Sequence, residues 1–426
     1  MHRVVVVLFS LLFCLAPVAP AEGGYSRPQS VTPSTVPASA ADQATDQQGD
    51  TAFAFVSDGQ FKLLIRKADG TVLPVRTVAS IDQVWSVNQV AVDRDGDGVV
   101  IWDQLPDIGG GYLYARRFSR TGRMSPVRQV SPNAHWVNGA EVGVRPGGSA
   151  VITWARITDA GYRPYLRTLG SGNLLGPVRT VGKGPNVDPP LVLVEDSGRT
   201  TLVWTNETLL ARRVAADGTL GPLHVIRRQA FEGEQLIPDD VGVDRRGVIT
   251  AACTRWTRNT AIPPNQNSRK LACLLRISPR LRLMGRVRNL TDKRTAIDGV
   301  GIGVSPSGTA VVGWQKNFYE GAVVQRVSPA GRLGPKIAVA SGGLADIALT
   351  GNGDGVVTST GIAPDGDHRI IRATRVVDGH LHRTERIGIN ASNVEYLRAA
   401  TLPRGRVLVA WNAAGTPPGI QVVKGW

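Results

Sequence analysis

After residue 21 this chain of 426 residues has no apolar run approaching the roughly 20 residues that cross a bilayer, which excludes a membrane-spanning helix in the body of the protein. No stretch of useful length shows the 3.6-residue period of an amphipathic helix, which excludes a helical bundle. Cysteine is scarce, at three residues. Short catalytic signatures are missing too: no Gly-x-Ser-x-Gly elbow, no phosphate-binding loop, no His-Glu-x-x-His pair and no specific nucleic-acid motif. Disorder of the whole is excluded in turn, because 42% hydrophobic and 19% charged residues is an ordinary globular balance.

What is present begins at the N-terminus. Residues 1–21 carry Arg3, an apolar run from Val4 to Val18 and the small-x-small sequence Ala19-Pro20-Ala21, the pattern of a secretory signal peptide. Residues 22–50, rich in Pro, Ser, Thr, Ala and Gln, read as a flexible leader. Loss of Cys14 with the signal would leave Cys253 and Cys273 in an oxidising compartment, where the pair is expected to join. The net charge of +15 and a pI near 10.3 imply attraction to polyanions.

From residue 51 the chain repeats. Gly96-Asp97-Gly98-Val99-Val100-Ile101-Trp102 sets a glycine six residues before an aromatic, with β-formers between them. The pattern returns at Gly148 to Trp154, Gly198 to Trp204, Gly308 to Trp314 and Gly405 to Trp411. Gly247 to Cys253 and Gly353 to Ser359 keep the spacing and change the last residue, and Gly49 to Phe55 fits a truncated first copy. The copies recur about every 50 residues, the period of a β-array. Within one copy four short strands read as Val87 to Val92, Val99 to Asp103, Tyr112 to Phe118 and Val127 to Val130. Pro74, Pro126, Pro177, Pro222 and Pro335 open the fourth strand; since proline cannot donate to a ladder, that strand is expected at the outer edge and the first strand at an axis. The predicted fold is all-β: a β-propeller of four-stranded antiparallel blades, seven or eight in number, over residues 51–426 as a single domain. The first copy shows strands two to four and the last shows strands one to three, so the chain ends should meet and close the ring. A ring without open edges is expected to be a monomer.

The blade sequence resembles the secreted β-propeller repeat proteins of high-GC Gram-positive bacteria, through Val90-Ala91-Val92-Asp93, Val99 to Trp102, Ala211-Arg212-Arg213 and Leu220-Gly221-Pro222. The resemblance implies an exported, propeller-shaped protein and no particular chemistry.

Four groups of residues are candidates for function. An arginine stands four or five residues before the turn between strands three and four in seven copies: Arg66, Arg117, Arg167, Arg213, Arg276, Arg326 and Arg375. Exposed, they would form a collar for an anionic polymer; packed between blades, they would pair with neighbouring carbonyls or carboxylates. Asp93, Asp95 and Asp97 resemble the first half of a Ca²⁺ loop, and an ordinary Asp-Gly hairpin is the competing reading. His368, His380 and His382 cluster with polar neighbours. Glu232, Glu234, Asp239 and Asp240 are the acids from which a glycoside hydrolase or lyase would draw one member of a pair, although the sialidase signature Ser-x-Asp-x-Gly-x-Thr-Trp is absent. The expectation is a secreted, non-catalytic binding or scaffold module, with an anionic polymer, a glycan or a protein as partner. A polysaccharide-acting enzyme is the alternative.

Overall fold

A computed structural model of the chain describes residues 24–32, 39–80, 84–104, 111–132, 137–158, 161–182, 189–229, 234–258, 268–292, 297–316, 321–340, 343–363, 368–378, 380–390, 394, 396–413 and 419–425. Among the described residues the strands form eight four-stranded antiparallel sheets, and no helix is long and apolar enough to cross a membrane. Each sheet is a blade. The first strands are Ser39–Thr45, Val84–Val92, Val137–Val144, Leu191–Val194, Glu234–Val243, Ile297–Val304, Leu344–Leu349 and Leu397–Thr401, for blades 1 to 8 in that order. These strands touch their neighbours in sequence, and that of blade 8 touches that of blade 1, so they ring the axis of a closed propeller.

Blade 8 settles the blade count. Its first three strands are Leu397–Thr401, Val407–Ala413 and Gly419–Gly425, and its fourth is Gln29–Ser30 from the start of the chain. Gln29 pairs with Val422 and Ser30 with Gln421, and Tyr25 forms a further bridge with Gly425. The ends therefore meet and close the ring, as expected; they do so by sharing one blade, and there are eight.

Part of the segment read as a flexible leader, 22–50, is thus propeller. Besides Gln29–Ser30, the strand Ser39–Thr45 supplies the missing first strand of blade 1. Its sequence, Ser-Ala-Ala-Asp-Gln-Ala-Thr, hides it, because small and polar residues carry little β signal. The reason is positional. Innermost strands crowd at the axis, and the places equivalent to Ala44 are held by Ala91, Gly143, Leu193, Gly242, Gly303, Ala348 and Ala400, all but one small. The signal peptide read over residues 1–21 lies outside the described residues.

The landmark residues are interface anchors on the second strands. Trp102 packs with Ala52, Phe61 and Leu63 of blade 1, Trp154 with Val99 and Leu113 of blade 2, and Trp411 with Val356 and Ile371 of blade 7. Each faces the preceding blade, so eight apolar clusters, one per interface, make up the core. Fully burying one large apolar side chain is worth about 1.5–3 kcal/mol, which explains why five of the eight copies place tryptophan here. Cys253 takes the place in blade 5 and faces Cys273 directly across the strand pair. The two form the expected disulfide, with a Cα–Cα separation of 4.9 Å. In blade 7 the place falls to Ser359, fully buried with its hydroxyl unpaired among the described residues.

The hairpin before each second strand depends on its glycine. Gly96 has φ +87°, and a Cβ there would stand 2.6 Å from Asp46 Oδ2 of the preceding blade. Both facts exclude a side chain.

Candidate functional sites at the axis and on the rim

The arginines that counting back from a turn aligns do not form one collar. Register places Arg117, Arg213, Arg276, Arg326 and Arg375 at equivalent positions, opposite Val99, Thr201, Thr250, Val311 and Val356. Arg66 is one residue further along its strand and Arg167 one residue earlier, so both face the opposite side of their sheets. Arg66 and Arg117 are buried. Arg117 donates to the carbonyls of Gly148 and Gly170 in blade 3, Arg213 to Glu195, Thr201 and the Pro279 carbonyl of blade 5, and Arg276 to the Pro329 carbonyl of blade 6. Arg167 instead joins Arg116 and Arg212 in a second series that straps the preceding blade, donating to Val130, Val78 and Val181 carbonyls at 2.8 Å. Burial lowers the pKa of Arg66, Arg117, Arg167, Arg213 and Arg276 by penalising their charge. Most of this set holds blades together. Arg145, which composition does not single out, does the same: 4% exposed, it donates to Thr200 Oγ1 and to the carbonyls of Val214, Ala215 and Ala216.

Asp93, Asp95 and Asp97 are used by their hairpin. Asp93 is buried and its Oδ1 accepts the amides of Asp95 and Asp97, as Asp46 and Asp244 do in their own turns. Asp97 accepts the Arg120 amide, and Asp95 lies 3.6 Å from Arg94. Among the described residues no group of three or more His, Cys, Asp and Glu is placed to hold a metal ion. His380 and His382 are exposed on the outer strand of blade 7. Of the acids considered for catalysis, Glu232 lies outside the described residues, Asp239 is exposed, and Glu234 is fully buried between Arg227 and Arg255 at 3.1 and 2.7 Å. Asp240 belongs to a different structure.

That structure is a ring at the axis. Four residues before the first residue of each hairpin, the innermost strands carry Asp42, Gln89, Glu141, Leu191, Asp240, Gly301, Asp346 and Arg398, so that acids occupy every odd-numbered blade. A β-bulge just before Asp42, Gln89, Asp240 and Asp346 aims the side chain at the next blade. There Asp42 accepts the Val90 amide, Gln89 the Val142 amide, Asp240 the Ile302 amide and Asp346 the Ala399 amide. Asp240 and Asp346 also accept the amide that follows them, at 2.8 Å. These donors are the inner-edge N–H groups that a strand at the axis would otherwise leave unpaired. Glu141 departs from the pattern: its carboxyl bonds the Gln89 side chain, and no backbone amide is seen to reach it among the described residues.

Enclosure raises the ring carboxyls by penalising their charge. Asp42 rises to about 6, Glu141 to about 7 and Asp240 to about 7, and Asp346 moves the same way. The acids add to one another's shifts around the axis, Asp42 to Glu141 and Asp346 to Asp240, while Arg398, 4.0 Å from Asp42, opposes the rise there. Tyr396, 3% exposed with its hydroxyl unpaired among the described residues, is pushed up by burial first and then by Asp42.

On the rim the charge reverses. The residues opening the outer strands at equivalent positions are Arg76, Arg128, Arg179, His224 and Arg288 in blades 1 to 5, paired with Leu63, Ala115, Leu166, Ala211 and Leu274. Their sequence signal is the proline two residues earlier in the first four copies. Arg76 and Arg288 are exposed and the others half-buried. Arg128 reaches the Asn173 carbonyl of blade 3 and Arg288 the Gly331 carbonyl of blade 6, which anchors the side chains against the neighbouring blade without adding a carboxylate to neutralise them.

No protein-family model and no curated protein matches the chain. Solved structures match in fold: the Dos1 propeller at TM-score 0.56 and 8% identity, covering 95% of each chain, and a polysaccharide lyase PL25, an ulvan lyase bound to -[GlcA(1-4)Rha3S]-, at 0.53 and 8%, covering 78% of this chain and 90% of that one. A puromycin hydrolase matches at 0.50 and 16% over 87% of this chain, which spans 58% of that protein. At these identities the likeness establishes the β-propeller fold.

Proposed function

We propose that the protein is an exported, non-catalytic propeller that binds an anionic polymer, a glycan bearing carboxylate or sulfate groups, along its rim outside the cell or at its envelope. The observation that carries this reading is the arc of Arg76, Arg128, Arg179, His224 and Arg288, which repeats a basic or imidazole side chain at one outer position through five successive blades. A linear polyanion meets such an arc one blade at a time, and guanidinium groups suit carboxylate and sulfate oxygens. The apolar sequence of residues 1–21 and the oxidised Cys253–Cys273 pair support export. Retention of the mature protein on a sulfated-polysaccharide column at rising salt tests the reading. Elution well above 0.15 M salt is expected, and elution at or below it, with no dependence on charge, would end the proposal.

Catalysis at the axis is the second reading, and Glu141 is the observation that favours it. A carboxyl near neutrality, tied to Gln89 and facing Asp240, has the form of a proton-transfer group. Glu141→Gln would abolish turnover of a polysaccharide substrate on this reading and leave polymer binding on the rim intact on the first.

A further inference from the structure

The rim arc ends at blade 5 beside a cavity of about 310 Å³ between blades 5 and 6. Its lining includes Arg276, Arg286 and Arg288, with Leu274 and Met284 as apolar wall and Gly331 on the blade 6 side. No acid lines it. The volume falls at the lower end of the range for small-molecule sites, room for a group the size of one sugar unit and more than a bare ion requires.

Three observations make this a built site rather than a stretch of basic surface. Gly331, with φ +82°, lets the Arg276 guanidinium approach so closely that a Cβ would stand 2.7 Å from its Nη1. Arg276 and Arg288 are pinned to the Pro329 and Gly331 carbonyls, at 2.8 and 2.9 Å, which leaves other N–H donors on each guanidinium unused among the described residues. Arg286, between them in sequence, is exposed and bonds to nothing among the described residues. Charge points the same way, because Arg246 and Arg288 crowd Arg276 with like charge. Among the described residues the carboxylate that acts on Arg276, Asp244, is taken up by two bonds from the Arg246 guanidinium.

We infer that this cavity is a subsite for a single anionic sugar unit of the bound glycan, its sulfate or carboxylate held by Arg286 with Arg288 and Arg276, and its ring lying against the exposed Met284. The inference rests on the rim-binding reading and adds to it a fixed point of specific recognition. Planar guanidinium forks grip such oxyanions in pairs of bonds. The apolar wall gives a sugar ring a surface that inorganic sulfate does not use.

The test is calorimetric titration of the mature protein with a heparin-derived tetrasaccharide and, separately, with a tetragalacturonate, with polyphosphate of matched charge as a third probe. Arg286→Ala should weaken the tetrasaccharide that binds by about tenfold, the scale of one charge-assisted contact, with melting unchanged because Arg286 supports no other group. Arg76→Ala, at the far end of the arc, should change it less than about twofold. Binding of the tetragalacturonate identifies carboxylate as a group the cavity holds, and binding of the heparin tetrasaccharide alone, which carries both groups, identifies sulfate as the one required. Equal losses in the two variants, or tighter binding of polyphosphate than of either saccharide, would overturn the assignment. If neither tetrasaccharide binds while the long polymer is still retained, the cavity inference fails and the rim reading stands. Loss of the long polymer as well would remove both.

Discussion

The axis and the rim of this propeller carry opposite charge at repeated positions, and they use it differently. At the axis, Asp42, Asp240 and Asp346 accept inner-edge amides of the next blade, so the ring carboxylates act as latches. On the rim, Arg76 and Arg286 are exposed and bond to no described group, while Arg128 and Arg288 are anchored by carbonyls. Repetition alone therefore does not separate structure from function. What separates them is whether the side chain's hydrogen-bonding capacity is used up within the fold.

The largest expected effect on that contrast comes from cutting a latch. Asp346→Ala would strip acceptors from the Ala399 and Ile347 amides and should cost about 1–3 kcal/mol, read as a lowered denaturation midpoint. Asp346→Asn, which keeps an acceptor, should cost much less. If alanine and asparagine behave alike, the latch account is wrong. Rim substitutions provide the counterpart: Arg76→Ala should leave the midpoint unchanged.

The next effect is a pH dependence set by the axis. Because the folded protein holds the Asp42, Glu141 and Asp240 protons to about 6, 7 and 7, above ordinary carboxyl values, the folded state binds more protons than the unfolded chain between pH 4 and 8. Stability should fall as pH rises through 6 and 7, and the melting temperature should be higher at pH 5 than at pH 8. The double substitution Glu141→Gln and Asp240→Asn should flatten that slope. A melting temperature that climbs with pH across this window would contradict the assignment.

A comparable effect is expected on the buried straps. Arg145→Met leaves the Val214, Ala215 and Ala216 carbonyls without their donor, and should cost about 1–3 kcal/mol if none finds water. Since the substitution lies outside the rim arc, polymer affinity should not move. Smallest of all, single charge removals along the arc should each lower the salt concentration at elution by a modest step, because an exposed contact is worth about 0–1 kcal/mol.

Much of the fold was legible because it rests on local chemistry. Hairpin glycines, the landmark aromatics and the strand-opening prolines recur at fixed offsets, and they led to four-stranded blades, the strand order and the pairing of Cys253 with Cys273. What stayed hidden depended on long-range register. The strand Ser39–Thr45 lacks apolar alternation because its neighbours crowd the axis, and Gln29–Ser30 finds its partner only across the ring. The arginine series was misaligned for a related reason: an offset of one residue in Arg66 and Arg167 is trivial in sequence and reverses the face in a strand. The acid ring and the rim arc were present in the sequence as single residues, and only the ladder registers place them at common positions.

The most direct measurement compares retention on a sulfated polysaccharide for three proteins: the unaltered chain, a rim variant with Arg76→Glu, Arg179→Glu and Arg286→Glu, and the axis variant Glu141→Gln. The account predicts that the rim variant elutes near 0.15 M salt while keeping the melting temperature of the unaltered chain, and that the axis variant is retained in full. Undiminished retention of the rim variant, or loss of retention in the axis variant alone, would contradict it.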